Sequence, residues 1–255
     1  MESQEHSRSR TVNNAIYSEL GQRWYEADDD PVALLRAESK LRNPWVAGKL
    51  AELGPGPHEI LDIGCGGGFL TNYLASLGHT VTGLDESEEA LVVARSRDQT
   101  NRVSYLTGDA LRLPFEDGSF DVVCAMDFLE HVEDPALAVR EASRVLRPGG
   151  MFFFHTFNRN PLAWLVIIKG VEWFVKNTPD HMHILELFIK PRELSKMCLD
   201  AGLEEPHFVG TRPRVGAAFW KMLWTRVVPR DFEFTFTPST LLAFSGFTRR
   251  TPVFS

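Results

Sequence analysis

Four glycines crowd into the run Leu61-Asp62-Ile63-Gly64-Cys65-Gly66-Gly67-Gly68, directly after a short apolar segment. With no Cβ in the way, such a loop turns sharply and lets the backbone come close to a ligand. If the preceding segment is a strand of an open parallel sheet, the loop lies at the carboxyl ends of the strands, where ligands bind. A dinucleotide fingerprint would need a further glycine three residues after Gly66, and that position holds Phe69. Asp85 closes a second apolar segment, where a carboxylate can accept hydrogen bonds from ribose hydroxyls. Gly108-Asp109-Ala110 ends a third, placed to meet an adenine amino group. After a fourth come Met126, Asp127, Glu130 and His131. The last three are residues that move protons or hold a metal ion, and Asp127 and His131, four apart, can share a face of a short helix.

These side chains need elements that deliver them to one edge. From Glu59 onward, short apolar segments alternate with helical ones. The pattern predicts strands over Glu59–Gly64, Thr80–Asp85, Val103–Thr107, Phe120–Met126 and Met151–Phe157, the last introduced by Pro148-Gly149-Gly150. Helices are predicted to Leu77, over Ser87–Arg97 and over Pro135–Leu146. Strands alternating with helices of this length form parallel βαβ units. Further on, the sequence predicts one or two helices over the sheet within 160–188, a helix over Pro191–Ala201, and terminal strands over Phe232–Phe236 and Leu241–Phe247. The expected fold is α/β: a doubly wound, mostly parallel, seven-stranded sheet of Rossmann-like type. Residues 1–53 form a helical N-terminal arm or lid, with Pro44 interrupting the helix of 32–53, and residues 54–255 form the main domain with a cover insertion at 160–188.

The segments LDIGCGGG, TGLD, GDA, FDVV, LEHVEDP and RVLRPGG, in this order, resemble the class I S-adenosylmethionine methyltransferases. The resemblance implies that the loop Gly64–Gly68, with Cys65 inside it, lies against the methionine part of S-adenosylmethionine. It implies that Asp85 holds the ribose and Asp109 the adenine, with Glu86 and Ala110 beside them among the cofactor-binding residues, and that Met126 packs beside the ring or its neighbouring backbone. Asp62 organises the loop through backbone amides. A narrower likeness lies downstream. Thr156-Phe157-Asn158-Arg159-Asn160, the apolar stretch 164–175 and Phe188-Ile189-Lys190-Pro191-Arg192-Glu193-Leu194 look like the ubiquinone-biosynthesis O-methyltransferases, and Trp24-Tyr25 and Asn43-Pro44 agree with them. The likeness implies a phenol or catechol hydroxyl of a quinone precursor as acceptor. It also implies peripheral membrane contact through 161–187, a cytoplasmic location on the inner membrane face, and partners in a biosynthetic complex. The chain departs from that family in two ways. The family's arginine after Asn-Pro falls on Val46, with Arg42 the nearest substitute, and the tail from Arg212 fits the pattern poorly.

A phenol with a pKa near 10 is scarcely ionised at neutral pH, so a base or a metal must help. Asp127, Glu130 and His131 lead the candidates, and the resemblance links their motif to a divalent cation such as Mg²⁺. The same Leu-Glu-His-Val also occurs in methyltransferases with no metal, where it shapes a loop. His155, His181 and His183 are the other candidate bases. His155 reads as a core histidine, and the His181-Met182-His183 alternation reads as a metal pair or, more simply, a solvated loop. Rival functions are methylation of another small acceptor and a noncatalytic cofactor-binding module.

A net charge of -7 argues against nonspecific attraction to nucleic acid. Cys65, Cys124 and Cys198 are widely spaced, which suits reduced thiols better than a disulfide framework or a zinc site. The polar start MESQEHSRSR carries no signal-like apolar core, and the apolar stretch 161–175 is interrupted by Lys169 and Glu172, too short to span a bilayer.

Overall fold

The computed structural model describes residues 14–179 and 182–252. Its strands are β1 (Glu59–Ile63), β2 (Thr80–Asp85), β3 (Val103–Thr107), β4 (Phe120–Met126), β5 (Leu146–Phe157), β6 (His207–Pro213), β7 (Phe234–Thr237) and β8 (Ala243–Arg249). They form one sheet in the order β3-β2-β1-β4-β5-β8-β6-β7. The first five are mutually parallel, and β8, β6 and β7 extend the sheet with antiparallel pairs.

The period of two is visible in the core. Ile60, Val122, Cys124, Met151 and Phe153 point to one face, where they meet Val46 and Leu50 of the helix Val32–Leu50 and Leu70 and Leu74 of the helix Phe69–Ser76. Leu61, Val123, Ala125, Phe152 and Phe154 point to the other, against Ala138, Val139 and Ala142 of Pro135–Val145 and Leu194 and Cys198 of Pro191–Asp200. Both faces are covered, which is why these strands read as near-continuous apolar runs. The chain steps outward from β1 through β2 to β3, then returns to lay β4 on the other side of β1. The carboxyl ends of β1 and β4 therefore flank the topological switch point, the usual ligand crevice of such a sheet.

Several expectations need correction. The sheet has eight strands rather than seven, the addition being β6. Its sequence, His-Phe-Val-Gly-Thr-Arg-Pro, hides the strand because Gly210 and Pro213 read as breakers. Gly210 is there for a close approach: a Cβ would lie 1.8 Å from the Ser239 carbonyl oxygen. A helix over Ala217–Thr225 was not foreseen either. Pro44 does not interrupt the helix Val32–Leu50. It removes one backbone hydrogen bond at an exposed position, and the burial of Val46 and Leu50 outweighs that loss. β5 begins at Leu146 instead of Met151, because Pro148-Gly149-Gly150 forms an irregularity within the strand, between the pairs Phe120↔Leu146 and Val122↔Met151.

Among the described residues, no helix is long and apolar enough to cross a membrane. Residues 161–174 form one continuous helical run whose middle segment, Trp164–Lys169, takes the wider π-type turn. We expect Gly210→Ala to cost about 1–3 kcal/mol of stability through overpacking. Urea unfolding that leaves the midpoint unchanged would refute the close approach of β6 and the Ser239 backbone.

Candidate active site

Gly64, Gly66 and Gly68 adopt positive φ (68°, 51° and 83°), so the loop after β1 takes a path closed to most side chains. Gly64 and Cys65 donate their N–H groups to the Leu84 carbonyl at 2.8 and 3.1 Å. Gly66 donates to Asp85 Oδ2 at 2.8 Å, while Asp85 Oδ1 accepts from Ser87 N–H at 2.9 Å. Asp85 thus fixes both the loop and the start of the next helix, and its oxygens keep lone pairs for a ligand. From the other side, residues 14–26 close over the loop. Trp24 lies on Gly66 and Gly67, the Tyr25 hydroxyl donates to the Gly67 carbonyl at 2.8 Å, and Asn14 donates to the His131 carbonyl at 3.3 Å.

A cavity of about 670 Å³ results, lined by Asp62, Gly64, Cys65, Gly66, Asp85, Glu86, Asp109, Ala110, Met126, Asp127 and His131 among others. Of the described sequence candidates, Gly68, Glu130, His155 and His183 stay out of it. Gly68 caps the helix that follows, and a Cβ there would strike the Tyr105 hydroxyl, Ala94 and Asn72. Asp109 is exposed, with Oδ1 accepting from Leu111 N–H at 2.8 Å. Asp62 is 3% exposed, and burial beside Asp85 pushes its carboxyl up to about 8. The room, the clustered carboxylates and the glycine cradle fit a nucleoside-bearing sulfonium.

A second cavity of about 370 Å³ adjoins the first. Tyr17, Leu35, Asp127 and His131 line both. Its other walls are nearly all apolar: Leu165, Val166, Trp173 and Phe174 from the cover helix, and Phe219, Met222 and Phe232 from the tail that the sequence left unexplained. His183 lines it too, 5.7 Å from the His131 ring and 5.1 Å from Phe157. The simpler reading of this histidine as part of a solvated loop is therefore corrected. His181 lies outside the described residues.

At the junction the ionisable groups are tightly paired. Arg42, buried, donates from Nη1 to Asp127 Oδ1 at 2.8 Å and from Nη2 to Oδ2, a two-pronged pair. Burial alone would raise the Asp127 carboxyl, yet the Arg42 guanidinium outweighs it and holds Asp127 below the usual carboxylate range. Glu130, 1% exposed, accepts from the Thr156 hydroxyl at 2.8 Å and is pushed up to about 8 by burial and by Asp127. Burial drives His131 down to about 4 and His155 down to about 3, so both rings are neutral. His155 shares a proton with Ser245 through Nδ1 at 2.9 Å.

Asp127, Glu130 and His131 do not gather as a ligand set for a cation. Arg42 takes both Asp127 oxygens, and Glu130 lines neither cavity. Among the described residues the one grouping with ligand-like spacing is Glu38, Asp127 and His155. There Arg42, also 3.8 Å from Glu38 Oε2, already supplies the positive charge. The residues do not fit Mg²⁺. Glu38 was missed in the sequence although the Glu38–Arg42 spacing of four on a helix is a recognisable ion-pair signal.

Residues 61–154 match the family described as a methyltransferase domain. A magnesium protoporphyrin IX methyltransferase from Synechocystis, solved with bound SAH, superposes with a TM-score of 0.63 at 18% identity, over 94% of this chain and 96% of that one. A SAM-dependent methyltransferase from Thermotoga maritima gives 0.62 at 19% identity, over 93% and 99%. The fold is that of the S-adenosylmethionine-dependent methyltransferases. Ubiquinone biosynthesis O-methyltransferases from Thiobacillus denitrificans and Pseudomonas putida are 39% and 36% identical to this chain, over 199 and 200 residues, in each case 77% of this chain and 84% of the relative. The chain belongs to the family of ubiquinone biosynthesis O-methyltransferases.

Asp62, Glu130 and Glu38 all carry folded-state pKa values raised by burial, to about 8, 8 and 7. A carboxyl raised in this way favours the fold fully below its unfolded value and loses that contribution as pH climbs through its folded value. Thermal stability should therefore fall from about pH 4, the unfolded values, to about pH 8, the highest folded values. Glu130→Gln, which keeps the Thr156 bond, should melt higher than the wild type at pH 9, and the difference should vanish as the pH falls below the unfolded carboxyl value of about 4. Equal melting at both would contradict the buried-acid account.

Proposed function

We propose that this chain moves the methyl group of S-adenosylmethionine onto a phenolic hydroxyl of a hydrophobic quinone precursor. The observation that carries the reading is the pair of adjoining cavities, one polar and glycine-lined, the other apolar, with Tyr17, Leu35, Asp127 and His131 as common walls. The names of the relatives support the same acceptor class.

In this reading Asp85 and Glu86 hold the ribose, Asp109 and Ala110 the adenine, and Gly64, Cys65 and Gly66 pass along the methionine part, beside Met126. Asp62 and Gly68 act one step back, by setting the loop's shape. When bound, S-adenosylmethionine supplies an electrophilic methyl group on a sulfonium. The chain's work is to bring the acceptor oxygen into line with that methyl, which can supply roughly 7–11 kcal/mol of the barrier, and to keep water out. His131, neutral and placed at the junction, orients the ring hydroxyl. The apolar walls take the prenyl tail.

The same walls face outward. Trp164, Leu165, Val166 and Trp173 are exposed on the cover helix, and Trp220 and Trp224 on the neighbouring helix Ala217–Thr225, where Lys221 and Arg226 are exposed as well. Exposed tryptophans with basic neighbours suit the interface of an anionic bilayer, the source of a greasy acceptor. Trp220→Glu combined with Trp224→Glu touches neither cavity and should weaken sedimentation with anionic vesicles. Sedimentation equal to the wild type would remove this contact from the account.

The direct test is turnover of labelled S-adenosylmethionine with a short-chain prenylated catechol, with its unprenylated analogue, and after EDTA treatment. The expected result is methylation that favours the prenylated ring and survives EDTA. Tight cofactor binding with no methylation of either ring would overturn the acceptor assignment, and activity lost to EDTA and restored by Mg²⁺ would overturn the metal-free site.

A further inference from the structure

We infer that Glu38 is the base of the reaction: its carboxylate takes the proton of the acceptor hydroxyl as the methyl group is transferred. The inference rests on the functional reading above and adds the residue that does its proton work.

The titratable groups lining the apolar cavity are Tyr17, Glu38, Asp127, His131 and His183. Asp127 is spent on Arg42, with both oxygens bonded. His131 and His183 are driven by burial to about 4 and about 3, too weakly basic to compete for a phenol proton. Tyr17, pushed above its ordinary value by burial, stays a phenol itself. Glu38 differs from all of these. It is 5% exposed, Oε2 lies 3.8 Å from Arg42 Nη1, and Oε1 is buried with no hydrogen-bond partner. Burial, only partly offset by Arg42 and reinforced by Asp127, raises its carboxyl to about 7, close to the value at which a general base works best near neutral pH.

Two more polar groups lie close to Glu38. His155 Nε2 sits 3.4 Å from Glu38 Oε1, and Thr211 Oγ1 belongs to a residue of the same cavity wall. A mostly apolar wall that carries Glu38 and Thr211 beside Asp127 and His131 suits a ligand whose polar group enters there: a ring with hydroxyls, its tail among the apolar side chains.

The step balances. The acceptor's O–H bond breaks and its proton goes to Glu38, while the O–C bond forms and the C–S bond breaks with its electron pair left on sulfur. The negative carboxylate and the positive sulfonium are neutralised together, a charge change that a dry cavity favours. The groups facing Glu38 are Arg42 on its own helix, Asp127 after β4, His155 on β5 and Thr211 on β6. Arg42 and Asp127 stay charged and His155 stays neutral through the neutral range, which leaves Glu38 as the member of this set that titrates there.

The experiment uses the full chain as wild type, Glu38→Gln and Glu38→Asp, with two prenylated catechols: one unsubstituted, and one bearing a nitro group that ionises it near neutrality. For Glu38→Gln we expect kcat to drop about 10²–10³-fold on the unsubstituted ring but less than about tenfold on the nitro ring, which needs no base. The rising limb of the wild-type kcat profile near pH 7 should vanish, and S-adenosylmethionine binding, read by tryptophan fluorescence, should be unchanged. Equal losses on both rings, weakened cofactor binding, or no loss at all would overturn the inference and leave Glu38 a prop for Arg42. If Glu38→Gln does not fold, Glu38→Asp decides: a displaced limb supports the inference and an unmoved limb overturns it. A wild type that methylates neither ring would overturn the underlying reading, a separate result.

Discussion

The site depends on the buried pair between Arg42 and Asp127. Asp127 follows β4 in a left-handed conformation, with φ at 55°, which an ordinary side chain rarely adopts. Its N–H donates to the His155 carbonyl at 3.1 Å, and both of its oxygens are held by a guanidinium from the helix Val32–Leu50. That helix is itself fastened by Val46 and Leu50 packed on the sheet. Removing one partner of such a pair leaves a buried charge without its counterpart and typically costs 3–5 kcal/mol. The pair therefore binds the N-terminal region to the switch point of the sheet, and it builds the wall on which the two cavities meet.

One cation among several acids sets the chemistry of its neighbours. Asp127 takes the guanidinium, so it stays ionised and its negative charge is felt by Glu130 and Glu38, whose carboxyls rise. The same crowding keeps His155 and His131 neutral through desolvation. A divalent cation would have to displace Arg42 to reach Asp127. Arg42 reaches Asp127 from the helix Val32–Leu50, while Val46, one turn further on, is buried in the core.

The parallel half of the fold was legible because its residues obey one rule at a time. β2, β3 and β4 run between the residues that the apolar alternation predicts, and the glycine loop, Asp85 and Asp109 reach one cavity because strand ends in a parallel sheet share an edge. The antiparallel half was not. β6 carries a glycine demanded by the backbone of a distant loop, a contact that no local pattern announces. The helix Ala217–Thr225 has apolar residues facing both the cavity and the surface, so it shows no clean periodicity. In the site, the Asp127-to-His131 spacing suggested one shared cluster, but a 3-10 turn over Leu129–His131 sends Glu130 to Thr156, away from both cavities. Glu38 lies 89 positions from Asp127 and 117 from His155 by their numbering, and only the packed structure brings the three together.

The most direct measurement is a crystal structure of the chain with S-adenosylhomocysteine and a prenylated catechol bound together. The account predicts the nucleoside among Asp85, Glu86 and Asp109, the prenyl tail among Leu165, Phe219 and Phe232, and the thioether sulfur facing the ring hydroxyl beside Asp127 and His131, with room for a methyl group between them. A tail lying along the outer surface, or a ring held away from that junction, would contradict it.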